Sequence, residues 1–112
     1  MINARILFLS FFLANVAHAE ATLPHYDKGM PYEEAKKRLI AQDWKPVNNL
    51  KISNSSLYAQ ELYAQGMLEV GDCVSMELDG CWFYYVKKNQ KLEVRTITRQ
   101  LKVEKITWIK SH

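Results

Sequence analysis

The segment CVSMELDGCWFYY, residues 73–85, holds both cysteines of the chain, Cys73 and Cys81, and carboxylates crowd around it at Glu69, Asp72, Glu77 and Asp79. Thiols and carboxylates at this density could supply a nucleophile or metal ligands. Each of those chemistries needs further groups. A nucleophile needs a base, yet the histidines stand at positions 18, 25 and 112, outside the middle of the chain. No cluster has zinc-ligand spacing, and no glycine-rich phosphate loop or nucleophile elbow occurs. The four carboxylates have no identifiable acid–base partner and read as a solvated acidic rim. The sequence therefore predicts a protein that is not an enzyme, with no metal and no cofactor.

What the cysteines do depends on the compartment. Residues 1–19, MINARILFLSFFLANVAHA, carry Arg5, then an apolar run of about a dozen residues, then Ala17 and Ala19. That is the layout of a signal peptide cut after Ala19. The run falls short of the roughly 20 residues that span a bilayer, so no permanent membrane anchor is expected. Residues 20–112 are then one small domain, exported to the periplasm or secreted, where paired cysteines are the norm.

The cysteines also pose a geometric choice. If Asp79-Gly80 were the two-residue loop of a tight hairpin, Leu78 would face Cys81 and Cys73 would face Val86. The two sulfurs would then lie roughly 17 Å apart along the strands, too far for a disulfide. Export favours the disulfide, which closes a nine-residue loop containing Asp79-Gly80 as a turn and places the start of the first long strand at Cys81.

The elements that position this loop follow from periodicity. PYEEAKKRLIAQDW, residues 31–44, is a helix. Pro31 suits its first turn, Glu33 and Glu34 lie at the positive end of its dipole, and Lys36, Lys37 and Arg38 lie toward the negative end. Tyr32, Ala35, Leu39 and Ile40 form its apolar stripe, and Pro46 prevents it from resuming. A short second helix fits residues 56–65, with a serine before it and Gly66 at its end. Beyond that the chain is rich in strand formers. In 81–86, Phe83 and Tyr85 point to one side and Trp82 and Tyr84 to the other, so one pair enters the core. Residues 92–98 form a second strand. Residues 99–109 form a third, in which the apolar parity changes between Val103 and Ile106, predicting a bulge. The expected fold is α+β: one main helix, with a second short one, packed on a three- to four-stranded antiparallel meander carrying one disulfide.

Read together, Trp44-x-Pro46 after a charged helix, Gly66-x-x-Glu69-Val70-x-x-Cys73, Cys81-x-Phe83 and Leu92-x-Val94-x-Thr96 resemble a group of small exported bacterial proteins of unknown function. The resemblance implies a helix followed by a disulfide-bearing sheet, and it departs in the bulky Val74-Ser75-Met76-Glu77-Leu78. Gly29 to Ala35 also resembles, over about twenty residues, the opening of the PASTA modules that bind cell wall.

Charge separates along the chain. Without Arg5 there are 14 basic and 12 acidic side chains; residues 20–79 hold 6 and 10 of them, residues 80–112 hold 8 and 2. Two kinds of partner fit. One is another envelope or secreted protein, bound as an inhibitor, immunity factor or envelope accessory would bind it, through Trp82, Tyr84, Glu77 and Asp79. The alternative is cell wall or another anionic glycan, bound by Lys87, Lys88, Lys91, Arg95 and Arg99. Nucleic acid, which stacked aromatics beside cations could also bind, is not an expected partner of an exported chain.

Overall fold

The computed structural model describes residues 22–76 and 78–110; the expected leader and cleavage after Ala19, like Glu77, lie outside them. Helix α1 spans Tyr32–Ala41, strand β1 Lys45–Pro46, a single 3-10 turn Ile52–Asn54, and helix α2 Leu57–Ala64. Strands β2 (Val70–Val74), β3 (Gly80–Lys87), β4 (Gln90–Ile97) and β5 (Lys102–Ile109) follow. The class is α+β, with five strands where the sequence suggests three or four. The two unforeseen ones are β1, only two residues long, and β2, in which Gly71 and Asp72 are poor strand formers. All pairings are antiparallel: β3 pairs β4, β4 pairs β5, and both β1 and β2 pair β3.

The core lies between one sheet face and the helices. Cys81, Phe83 and Tyr85 of β3 and Leu92, Val94 and Thr96 of β4 face inward and are buried, as are Val103 and Ile106 of β5. Tyr32, Ala35 and Leu39 of α1 cover them, and the Tyr32 ring stacks on Phe83 at 3.9 Å between centroids. Ile40, the fourth member of the expected stripe, is instead 48% exposed. The helix ends early. Asp43 turns left-handed (φ 70°), and the amides of Asp43 and Trp44 bond back to the carbonyls of Ile40 and Leu39, a Schellman closure made without glycine. Trp44 then folds into the core.

The parity change in β5 is a bulge: Arg95 faces Lys105 while Thr96 faces Val103, leaving Glu104 as the extra residue. A second bulge, at Gly71, separates the pairs Val70–Phe83 and Asp72–Trp82.

Candidate functional site

Hairpin and disulfide coexist. Cys73 is the register partner of Cys81, with Cα atoms 4.0 Å apart and the disulfide formed between them, and Val74 is the partner of Gly80. The incompatibility held only for the two-residue turn. The chain reverses through five residues, 75–79, so Leu78 does not face Cys81, and the strand begins at Gly80. Both cysteines are buried.

The loop is held at several points. Leu78 and Asp79 are left-handed (φ 56° and 52°), as are Thr98 and Leu101 in the neighbouring β4–β5 turn. For Thr98 this conformation is costly, because a β-branched side chain crowds the following carbonyl. The two segments bind each other: the Thr98 amide donates to the Leu78 carbonyl at 2.6 Å, and the Arg99 guanidinium lies 3.7 Å from the Asp79 carboxylate. Arg99 also stacks over Tyr58 of α2, 4.0 Å from its ring centre. Two large apolar side chains stand outside, beside the exposed Ser75. Met76 is 93% exposed and Leu78 69%.

Trp82 and Tyr84 occupy the outer sheet face and are half-buried. Lys91 sits 4.8 Å from the centre of the Tyr84 ring, Arg95 lies 5.9 Å from that of Trp82, and the Tyr84 hydroxyl donates to Glu93 at 3.1 Å. Beside them Gly71 leaves room for the rings: a Cβ there would come within 2.9 Å of Trp82 and closer still to Tyr84. An open cleft of about 590 Å³ runs from these aromatics to Asn48, Asn49 and Lys51. Asn49 donates to the Val70 and Gly71 carbonyls, and Ser55 to that of Gly71, so side chains satisfy the outer edge of β2.

The five expected anion-binding cations do not form one patch. Lys91 and Arg95 share the outer face with the aromatics. Arg99 is engaged by Asp79 and Tyr58 at the loop end. Lys87 and Lys88 lie at the opposite end of the β3–β4 hairpin, where with Lys45 and Asp43 they line a second hollow.

The acidic rim is also redistributed. Asp72 accepts from the Ser56 and Cys73 amides at 2.9 and 2.7 Å, fastening the start of α2 to β2. Glu69 is only 1% exposed. It accepts the Tyr32 hydroxyl at 2.5 Å and Lys36 at 2.9 Å, and the Tyr85 hydroxyl lies 2.5 Å from that of Tyr32. Because Tyr32 spends its one proton on Glu69, Tyr85 donates to Tyr32, giving an ordered chain of donors that ends on a carboxylate. Sequence reasoning missed this cluster. Tyr32 falls on the apolar stripe, and nothing local distinguishes Glu69 from its exposed neighbours.

Burial pushes the hydroxyls of Tyr32 and Tyr85 to higher pKa, and the nearby Glu69 carboxylate raises both further. Tyr84 is pushed up to about 12 by burial and then by Glu93. A raised tyrosine stabilises the fold fully below its unfolded value of about 10, and that contribution disappears as pH rises through the folded value. For Tyr84 the window is between about pH 10 and 12. In an alkaline titration, tyrosinate absorbance from Tyr32 and Tyr85 should therefore appear together with loss of the native circular dichroism. Ionisation of Tyr32 and Tyr85 in a protein that stays folded would contradict this assignment.

Among the described residues no group of histidine, cysteine or acidic side chains is arranged to hold a metal, and no helix is long and apolar enough to cross a membrane. The chain matches no protein-family model, no curated protein and no solved structure.

Proposed function

We propose that the protein is an exported, non-enzymatic interaction module that binds another envelope or secreted protein through the disulfide-closed loop, in the manner of an inhibitor, immunity factor or envelope accessory. The observation that carries this reading is the exposure of Met76 and Leu78 on a loop fixed at both ends. Exposed apolar side chains grouped on one loop are the kind of surface a protein partner covers, and a loop tied at its ends loses less entropy on binding. The disulfide is compatible with export, and the likeness to small exported bacterial proteins belongs to the same proposal.

The test is capture from envelope extract by the immobilised protein, with Met76→Glu and Leu78→Glu as controls. Each variant should weaken retention of the captured protein at least tenfold, because a charge placed in an apolar contact costs more than about 1.4 kcal/mol. A partner retained equally by both variants and by Trp82→Ala would defeat the reading.

The second reading, binding of cell wall or another anionic glycan, is supported by the cleft in which Lys91 stands beside Trp82 and Tyr84. It predicts salt-sensitive sedimentation with peptidoglycan that Lys91→Ala reduces. Indifference to moderate salt would count against it.

A further inference from the structure

Most of the sheet boundary is covered. Asn49 and Ser55 satisfy the outer edge of β2, and residues 29–32 cover the start of β5, where Val103 accepts from Gly29 and donates to Met30. A turn across residues 27–30 then takes the preceding chain toward α1, where Asp27 meets Arg38 at 3.5 Å. No described segment pairs with the rest of the free edge of β5, from Glu104 onward.

The register fixes which groups that edge presents. Val103, the partner of Thr96, turns both its N–H and its C=O outward. Ile106 and Trp108 face Val94 and Leu92, which follow Thr96 at steps of two, so their N–H and C=O groups point outward as well. Without the Glu104 bulge the outward positions would be 105 and 107.

We propose that this edge pairs with the same edge of a second copy of the chain, antiparallel about a two-fold axis at Thr107. Centred there, the outward groups of Ile106 meet those of the partner's Trp108, and the reverse, for four backbone hydrogen bonds in all. Thr107 faces its own copy, Ile106 faces Trp108, and Lys105 faces Ile109. Glu104, on the bulge, lies outside this regular pairing and keeps its ion pair with Arg95 at 3.6 Å. Threonine pairs and aromatic–β-branched pairs are favoured cross-strand neighbours. An axis at Lys105 would oppose two like charges. Trp108, 38% exposed although its neighbour Trp44 is buried, gains cover in the dimer.

Sedimentation velocity across a concentration series tests the proposal. The wild type should show a monomer–dimer equilibrium. Thr107 is half-exposed on the outer face, so Thr107→Lys and Thr107→Glu should each fold, checked by circular dichroism, and each should raise the dimer Kd about tenfold by placing like charges on the axis. Mixing the two variants should restore the dimer. A wild type that is monomeric throughout, a dimer insensitive to both variants, or a mixture no tighter than its folded components would each overturn the assignment.

Discussion

Lys36→Met is expected to destabilise the protein by about 3–5 kcal/mol, the usual result of removing one member of a buried ion pair. The asymmetry of the pair explains why Lys36, and not Glu69, is the sensitive member. The Lys36 side chain is 21% exposed and its stem can carry the ammonium into water. Glu69 is 1% exposed, under α1 and the sheet, and cannot follow. Removing the carboxylate thus leaves a lysine with an escape route; removing the lysine leaves a carboxylate supported by the Tyr32 hydroxyl alone. Glu69→Met should therefore cost less than Lys36→Met. The double variant Lys36→Met/Glu69→Met should recover most of the loss, because apolar side chains of similar volume often replace a buried pair without net cost, and Tyr32 keeps Tyr85 as a partner. Urea denaturation of the four proteins gives the complete cycle. Equal costs for the two single variants would disprove the asymmetry.

The second large effect belongs to the disulfide. Closing nine residues restricts the unfolded chain by about 2.6 kcal/mol in the chain-entropy model, against the 5–15 kcal/mol typical of a whole domain. Cys73→Ala/Cys81→Ala should lose about that amount, with the bulk of the sheet retained, because β3 and β4 pair over seven residues independently of the bond. Both cysteines are buried, so reductant should open the bond slowly in the native protein and quickly in denaturant. Mass spectrometry of trapped thiols distinguishes the two regimes, and reduction at the same rate in both would show that the bond is not shielded by the fold. A loss well under 1 kcal/mol in the double variant would show that the loop is held chiefly by Leu78–Thr98 and Asp79–Arg99.

The parts of the fold that could be read in advance are those with local causes. Pro31, the acidic first turn and the stripe of Tyr32, Ala35 and Leu39 define α1; Ser56 and Gly66 bracket α2. The switch in apolar parity between Val103 and Ile106 marks the Glu104 bulge. Phe83 and Tyr85 were separable from Trp82 and Tyr84 by alternation alone. What escaped depends on contacts distant in sequence. Strand β2 forms because a disulfide and two side-chain caps hold a segment of weak strand formers. Glu69 is buried because helix α1 brings Lys36 and Tyr32 to it across more than thirty residues. The five basic residues near β3 and β4 looked like one patch only because a strand's length does not appear in a count of charges: eight residues separate the ends of β3 by roughly 24 Å. The loop was legible as a closed unit, but not its conformation, since nothing in the sequence requires Leu78 and Asp79 to turn left-handed.

The Gly71 bulge has a consequence for how such a surface changes over generations. The space that glycine leaves empty is filled by Tyr84 and Trp82, so positions 71 and 84 are not independent letters. Any side chain at 71 is acceptable only after the ring at 84 has been lost or has swung away, and a smaller residue at 84 uncovers the glycine and leaves a gap in the outer face. The two positions are therefore energetically coupled, each change altering what the other tolerates. The aromatic pair is thereby preserved by backbone geometry as well as by any ligand it meets.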